Sequence, residues 1–150
     1  MVSRKTLLRL ILSAAVAAVP VTAAWADALP GPVEARVVDV IDGDSLRVKA
    51  RIWLSQDVET IVRLAGIDAP EMRGRCDEEK QRAQAARAAL EDAVETVGGV
   101  VMLTGIEQDK FGGRVLARVA DASGRDLARV LTDAGLARPY EGGRRESWCE

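Results

Sequence analysis

From Ser45 onward apolar and polar residues alternate strictly, with Leu46, Val48, Ala50 and Ile52 on one side and Arg47, Lys49, Arg51 and Trp53 on the other. A period of two belongs to a strand with one buried face, so 45–52 is predicted to be β. Similar β-branched runs at 33–40, 60–67, 100–106 and 114–120 bring the expected strands to five. Asp42-Gly43 is expected to turn the first hairpin.

The period becomes helical in two places. Ala83, Ala86, Leu90, Val94 and Val97 share one face of a helix predicted over 77–97, which Gly98-Gly99 ends. Leu127, Val130, Leu131 and Ala134 recur at i, i+3, i+4 and i+7 before Gly135, predicting a shorter second helix. Three strands, a helix, two strands and a helix make a chain that is mainly β with flanking helices, expected to close as a five-stranded Greek-key barrel of the OB type. Such barrels often carry oligonucleotides on one face.

The first residues follow a different rule. Arg4, Lys5 and Arg9 precede an apolar run over 10–24, and Ala24-Trp25-Ala26 follows, the pattern of a cleaved secretory signal over 1–26. Ser13, Pro20 and Thr22 leave the run shorter than the roughly 20 residues a membrane span needs. The expected product is a single domain over 27–150, exported to the periplasm or secreted, monomeric, and with no stable membrane association after cleavage. Removing the three basic leader residues leaves 18 Lys and Arg against 23 Asp and Glu, a net of −5. That balance argues against a broad basic surface for nucleic acid, so phosphate binding is expected to be local. Cys76 and Cys149 both fall in the exported part, where an oxidising compartment would let them pair; two free thiols are the alternative.

The chain contains no histidine, which removes serine-histidine triads and most zinc sites. Carboxylates and arginines remain as candidate chemistry. Asp42-Gly43-Asp44 could be no more than a turn, and no glutamate-terminated twelve-residue loop follows to make it an EF-hand. Arg63 lies inside the apolar run Ile61-Val62-Arg63-Leu64-Ala65, where an isolated charge is costly, so it needs either an aspartate or a phosphate partner. Asp68-Ala69-Pro70-Glu71 follows, with proline pushing Ala69 to an extended conformation. Paired-carboxylate glycoside hydrolysis by Asp44 and Glu71 would leave the arginines without a role.

Val40-Ile41-Asp42-Gly43-Asp44-Ser45, Arg63-Leu64-Ala65-Gly66-Ile67-Asp68-Ala69-Pro70-Glu71 and Asp109-Lys110-Phe111-Gly112-Gly113-Arg114, in that order, resemble the staphylococcal nuclease (thermonuclease) family. The resemblance runs from about Val33 to Tyr140 and implies a Ca2+-dependent phosphodiesterase that cuts DNA and RNA with little sequence preference, leaving 3′-phosphate ends. It implies that Asp44, Asp68 and the main-chain carbonyl of Ala69 hold the cation, with Asp42 a nearby acid. Glu71 is implied as the general base, and Arg63 and Arg114 as the phosphate clamp. The chain departs from the family pattern by an extra glycine before Arg114, which a glycine bulge could absorb, and by Phe111 where that pattern has tyrosine. Phe111 is open to base stacking or to a place in the core. Tyr140, surrounded by Arg138, Arg144 and Arg145, is a candidate substrate rim, and a tail held through Cys149 to Cys76 is expected where other members have a long C-terminal helix. The alternative function is a non-catalytic OB-fold nucleic-acid-binding module.

Overall fold

The computed structural model describes residues 28–149, so the leader expected over 1–26 lies outside the described residues. The barrel is built from β2 (Val33–Asp42), β3 (Ser45–Trp53), β4 (Gln56–Leu64), β6 (Val100–Gln108) and β7 (Arg114–Asp121), with the short strands β1 (Ala28–Leu29), β5 (Ile67–Asp68) and β8 (Arg138–Pro139) around it. Antiparallel pairing links β2 to β3, β3 to β4, β6 to β2 and β6 to β7. The seam between β4 and β7 is parallel and completes a closed five-stranded barrel. The expected fold class is what the chain adopts.

Alternation decides what fills the barrel: Leu46, Val48, Val62, Leu64, Val101, Leu103 and Val119 are almost wholly buried. Helix α1 (Asp77–Glu95) buries Ala83, Ala86, Leu90, Ala93 and Val94, and packs mainly on β2. Helix α2 (Leu127–Asp133) buries Leu127 and Leu131 and is capped by Asp126, whose carboxylate accepts from the N–H groups of Ala128 and Arg129. The predicted helix over 77–97 thus stops at Glu95, with Val97 only half-buried beyond it.

Three local expectations are corrected. The first hairpin turns at Gly43-Asp44, one residue later than expected, because Asp42 is paired with Ser45. Ile52, expected inside, is 54 % exposed; a register shift between Arg51 and Trp53 carries the end of this hairpin past the barrel. The strand expected over 60–67 begins at Gln56 and breaks at Ala65-Gly66, with Ile67–Asp68 forming a separate strand against β8. Gly66 supplies the break with φ +83°, and its carbonyl accepts from the Tyr140 N–H at 2.9 Å. The break swings Asp68 off the barrel wall toward the C-terminal segment.

Gly43 is fixed by contact rather than by φ. A Cβ there would lie 2.5 Å from the Ala86 Cβ on α1 and 3.2 Å from that of Ala69, so helix, hairpin and acidic loop meet at a point where only hydrogen fits. Gly43→Ala is expected to destabilise the fold by about 1–3 kcal/mol through overpacking, measured as a lower urea midpoint with an unchanged m-value.

The β7–α2 connection depends on one buried carboxylate. Asp121 Oδ1 accepts from Ser123 N at 2.8 Å, Ser123 Oγ at 2.5 Å and Arg125 N at 3.0 Å, and Oδ2 accepts from Arg125 Nε at 2.9 Å. The Ser123 hydroxyl bond, followed by the donors from Arg125, outweighs burial and holds this carboxyl down at about 2 against an ordinary 3.8. The ionised form is the bonded one, so its stabilisation is complete above pH ~4 and is lost as pH falls toward ~2. Asp121→Ala should cost about 1–3 kcal/mol at neutral pH and flatten the acid limb of the stability curve, read from unfolding midpoints between those pH values.

Candidate functional site

The break after β4 and the β2–β3 turn bring the predicted acids together. Asp44 is buried at the turn, and its Oδ1 accepts from the neighbouring Ser45 hydroxyl at 2.8 Å. Arg63, 7 % exposed, donates from Nη2 to Asp44 Oδ2 at 3.0 Å and to the Ile67 carbonyl at 3.1 Å, and lies 3.7 Å from Asp68 Oδ1. Of the two partners its place in an apolar strand left open, an aspartate or a phosphate, the aspartate is present. Burial pushes the Asp44 carboxyl above its ordinary value despite the opposing Arg63 charge. Burial also raises that of Asp42, helped by the charges of Glu71 and Asp44. Crowded, partly desolvated carboxylates of this kind favour a bound cation.

Asp68 is the most constrained of them. Its Oδ2 accepts from the Trp148 indole N–H at 3.2 Å. Its Oδ1 is buried and accepts no hydrogen bond, although Arg145 Nε is 3.0 Å away; the N–H there is not aimed at the oxygen. Ala69 is buried beside it, whereas the Glu71 side chain is 52 % exposed. Arg145 Nη1 reaches Glu71 Oε1 at 2.5 Å, so a single guanidinium spans Asp68 and Glu71. Both acids border a cavity of about 520 Å³ together with Arg145 and Trp148.

Arg114 opens β7, beside Ile61 in the parallel register, while Arg63 lies beside Leu116. Residues two apart on a strand share a face, so Arg63 and Arg114 rise from the same outer face on neighbouring strands. The extra glycine is taken up in the β6–β7 loop, where Gly112 and Gly113 both have φ near +66° and Asp109 N donates to the Arg114 carbonyl at 3.2 Å. Arg114 itself is held by Asp109 rather than by the acid cluster, and its guanidinium lies 5.0 Å from the Phe111 ring centroid. Phe111 is 67 % exposed, which rules out its place in the core. Tyr140 has Arg63 at 5.8 Å and Arg145 at 6.0 Å from its ring centroid and lines, with Arg63, Asp109 and Lys110, a second cavity of about 740 Å³.

The family model described as staphylococcal nuclease homologue matches residues 61–148, more than half of the chain. The protein belongs to this family. No curated protein matches the sequence. The matched segment runs from Arg63 through Asp68, Glu71 and Arg114 to Trp148, and the β2–β3 turn with Asp42 and Asp44 precedes it. Membership in the staphylococcal nuclease family supports a nuclease-like or nucleic-acid-binding function for this barrel.

Two residues of the site were not singled out from the sequence. Glu79 is buried on α1 and its carboxylate accepts from Arg75 N at 2.8 Å and Glu71 N at 3.4 Å, pinning the loop that carries Glu71. Its signal was a glutamate at the third position of a helix whose cap is Cys76, a variation on the capping box. Trp148 is 7 % exposed, with Arg138 stacked 3.7 Å from its ring centroid. A tryptophan beside a candidate disulfide was the only hint of it. The expected disulfide is present, joining Cys76 to Cys149 with Cα atoms 6.0 Å apart.

Proposed function

We propose that the protein is an exported calcium-dependent endonuclease that hydrolyses phosphodiester bonds in DNA and RNA with little sequence preference. The observation that carries this reading is the convergence of Asp44, Asp42 and Asp68 beside Arg63, with the buried Asp68 Oδ1 accepting no hydrogen bond although guanidiniums lie 3.0 and 3.7 Å away. Buried acceptors are normally satisfied, and carboxylate and carbonyl oxygens are the hard donors that calcium takes, with water completing its shell. Asp44, Asp68 and the Ala69 carbonyl would hold it. When bound, the cation supplies positive charge beside the scissile phosphate.

The chain's own side chains account for the remaining steps. Glu71, with its exposed carboxylate and a backbone tied to Glu79, takes the proton of the attacking water. In-line attack builds negative charge on the phosphoryl oxygens, and Arg63 and Arg114 receive it from one face of the sheet. Export to the periplasm or beyond is part of this proposal and rests on the leader pattern of residues 1–26. Incubating the purified protein with plasmid DNA and with RNA across a calcium titration should give cleavage that excess chelator abolishes. Cleavage that persists unchanged in chelator would overturn the reading.

One observation favours the rival, a binding module that does not cut. Phe111 is exposed with the Lys110 ammonium 5.1 Å and the Arg114 guanidinium 5.0 Å from its ring centroid, an arrangement on which a base can stack. A retained, uncut complex with single-stranded DNA and calcium on a gel would support it.

A further inference from the structure

We propose that the segment over 145–149, strapped to the start of α1 by the Cys76–Cys149 disulfide, supplies two positioning residues to the acid cluster. Trp148 fixes Asp68 for the cation and Arg145 fixes Glu71 relative to Asp68. Cation affinity and cleavage then both depend on the disulfide being closed. The inference rests on the roles proposed above for Asp68 and Glu71.

The geometry supporting it is specific. Asp68 lies on β5, more than 75 residues before the segment that holds it, yet its Oδ2 is bound by the buried Trp148 indole N–H. That bond leaves Oδ1, which accepts no hydrogen bond although Arg145 Nε lies 3.0 Å away, as the oxygen turned toward the cluster. Trp148 is in turn clamped, with Arg138 over its ring and the Arg138 Nη1 donating to the Ser147 carbonyl at 3.0 Å. Arg138 is the β8 partner of Asp68 in the strand register, so ligand, indole and guanidinium form one packed unit. Arg145 spans two carboxylates that the fold otherwise holds on different supports, Asp68 on β5 and Glu71 on the loop pinned by Glu79. A planar fork that contacts both fixes their separation, which a single-point ammonium does less well.

Holding this segment in place falls to the disulfide. Apart from Trp148 and the half-buried Cys149, residues 141–149 are exposed, so little apolar burial retains them. Cys76 is the cap of α1, its sulfur accepting from Glu79 N at 3.4 Å, and Glu79 is the residue that pins the Glu71 loop. One covalent bond therefore anchors the tail at the point where the loop is already fixed. Opening it would leave Trp148 and Arg145 held by their side-chain contacts alone, with the barrel core untouched.

The test reads the site without relying on activity alone. Trp25→Phe with Trp53→Phe leaves Trp148 as the remaining tryptophan of three. Calcium titration should then change its emission saturably. Reduction with dithiothreitol, or Cys149→Ser, should weaken calcium binding and cleavage about tenfold to a hundredfold, the usual cost of losing a partner that orients a metal ligand. With the disulfide intact, Trp148→Phe should weaken calcium binding measured by calorimetry. Arg145→Gln should lower kcat more than it raises KM, with Arg145→Lys recovering part of the loss. These two variants decide the matter if the cysteine variant does not fold. Unchanged or increased calcium affinity and cleavage after reduction, together with wild-type behaviour of both intact-disulfide variants, would overturn the strap. An oxidised protein in which calcium shifts Trp148 emission but neither DNA nor RNA is cut would instead overturn the nuclease reading and leave the strap standing.

Discussion

Glu71→Gln is expected to lower phosphodiester cleavage by roughly 10²–10⁴-fold, the range over which a positioned general base contributes, while the folded barrel and calcium binding persist. The amide is nearly isosteric but cannot accept the proton of the attacking water. Structural damage should be small, because the Glu71 side chain is 52 % exposed and its loop is fixed through the backbone, by Glu79 on its N–H and by Gly74 N on its carbonyl. The partner lost is Arg145, held at 2.5 Å. That is a pair near the surface, worth at most about 1 kcal/mol after solvent screening. Plasmid digestion under saturating calcium, compared with thermal unfolding of the same preparation, separates chemistry from folding. Cleavage at the wild-type rate would remove Glu71 from the mechanism.

Arg63→Lys is expected to be costly twice over. In catalysis, replacing a guanidinium aimed at developing phosphoryl charge should cost on the order of 10²–10³-fold. In the resting fold, Arg63 Nη2 serves Asp44 and the Ile67 carbonyl at once and lies close to Asp68, with only 8 % of its side chain exposed. A lysine side chain is one bond shorter, so its ammonium stops short of the point at which Nη2 meets these acceptors, and a loss of about 1–3 kcal/mol should follow from the unsatisfied buried groups. Arg63→Met goes further, leaving buried carboxylates uncompensated at a cost of about 3–5 kcal/mol. Calcium should restore much of that loss by supplying the missing charge. The expected signature is a calcium-induced rise in Tm larger in the methionine variant than in the wild type; equal rises would separate Arg63 from the cation site.

The barrel was legible because its signals are local. Strict alternation over 45–51 and helical spacing over 83–94 were each imposed by one buried face, so reading the period was reading the core. Where tertiary contact decided, the pattern misled: Ile52 keeps the alternation but lies where the hairpin has left the barrel, and Ala65-Gly66 breaks a run whose apolar residues continue on either side. The acids and arginines were visible as motifs, yet their grouping depended on the break at Gly66 and on the pairing of β4 with β7, neither of which sequence spacing encodes. Phe111 carried no periodic context, and its exposure was decided by a loop containing two left-handed glycines. Trp148 and Arg145 were hardest to place, because their partners Asp68 and Glu71 lie more than 70 residues away and are brought within reach by the β5–β8 pairing and the disulfide together.

The parallel seam also affects when the protein acquires its clamp. Ile61 and Arg114 become neighbours only when β4 and β7 meet, a non-local pairing that costs more loop-closure entropy than the β2–β3 and β3–β4 hairpins and is expected to form after them. Until that seam closes, the two guanidiniums belong to unconnected segments, however complete the β2–β3 and β3–β4 hairpins already are. On the export and nuclease activity proposed above, a chain that has not yet closed this seam is expected to have its acids without a phosphate grip, and so to spare the nucleic acid of the cell that makes it.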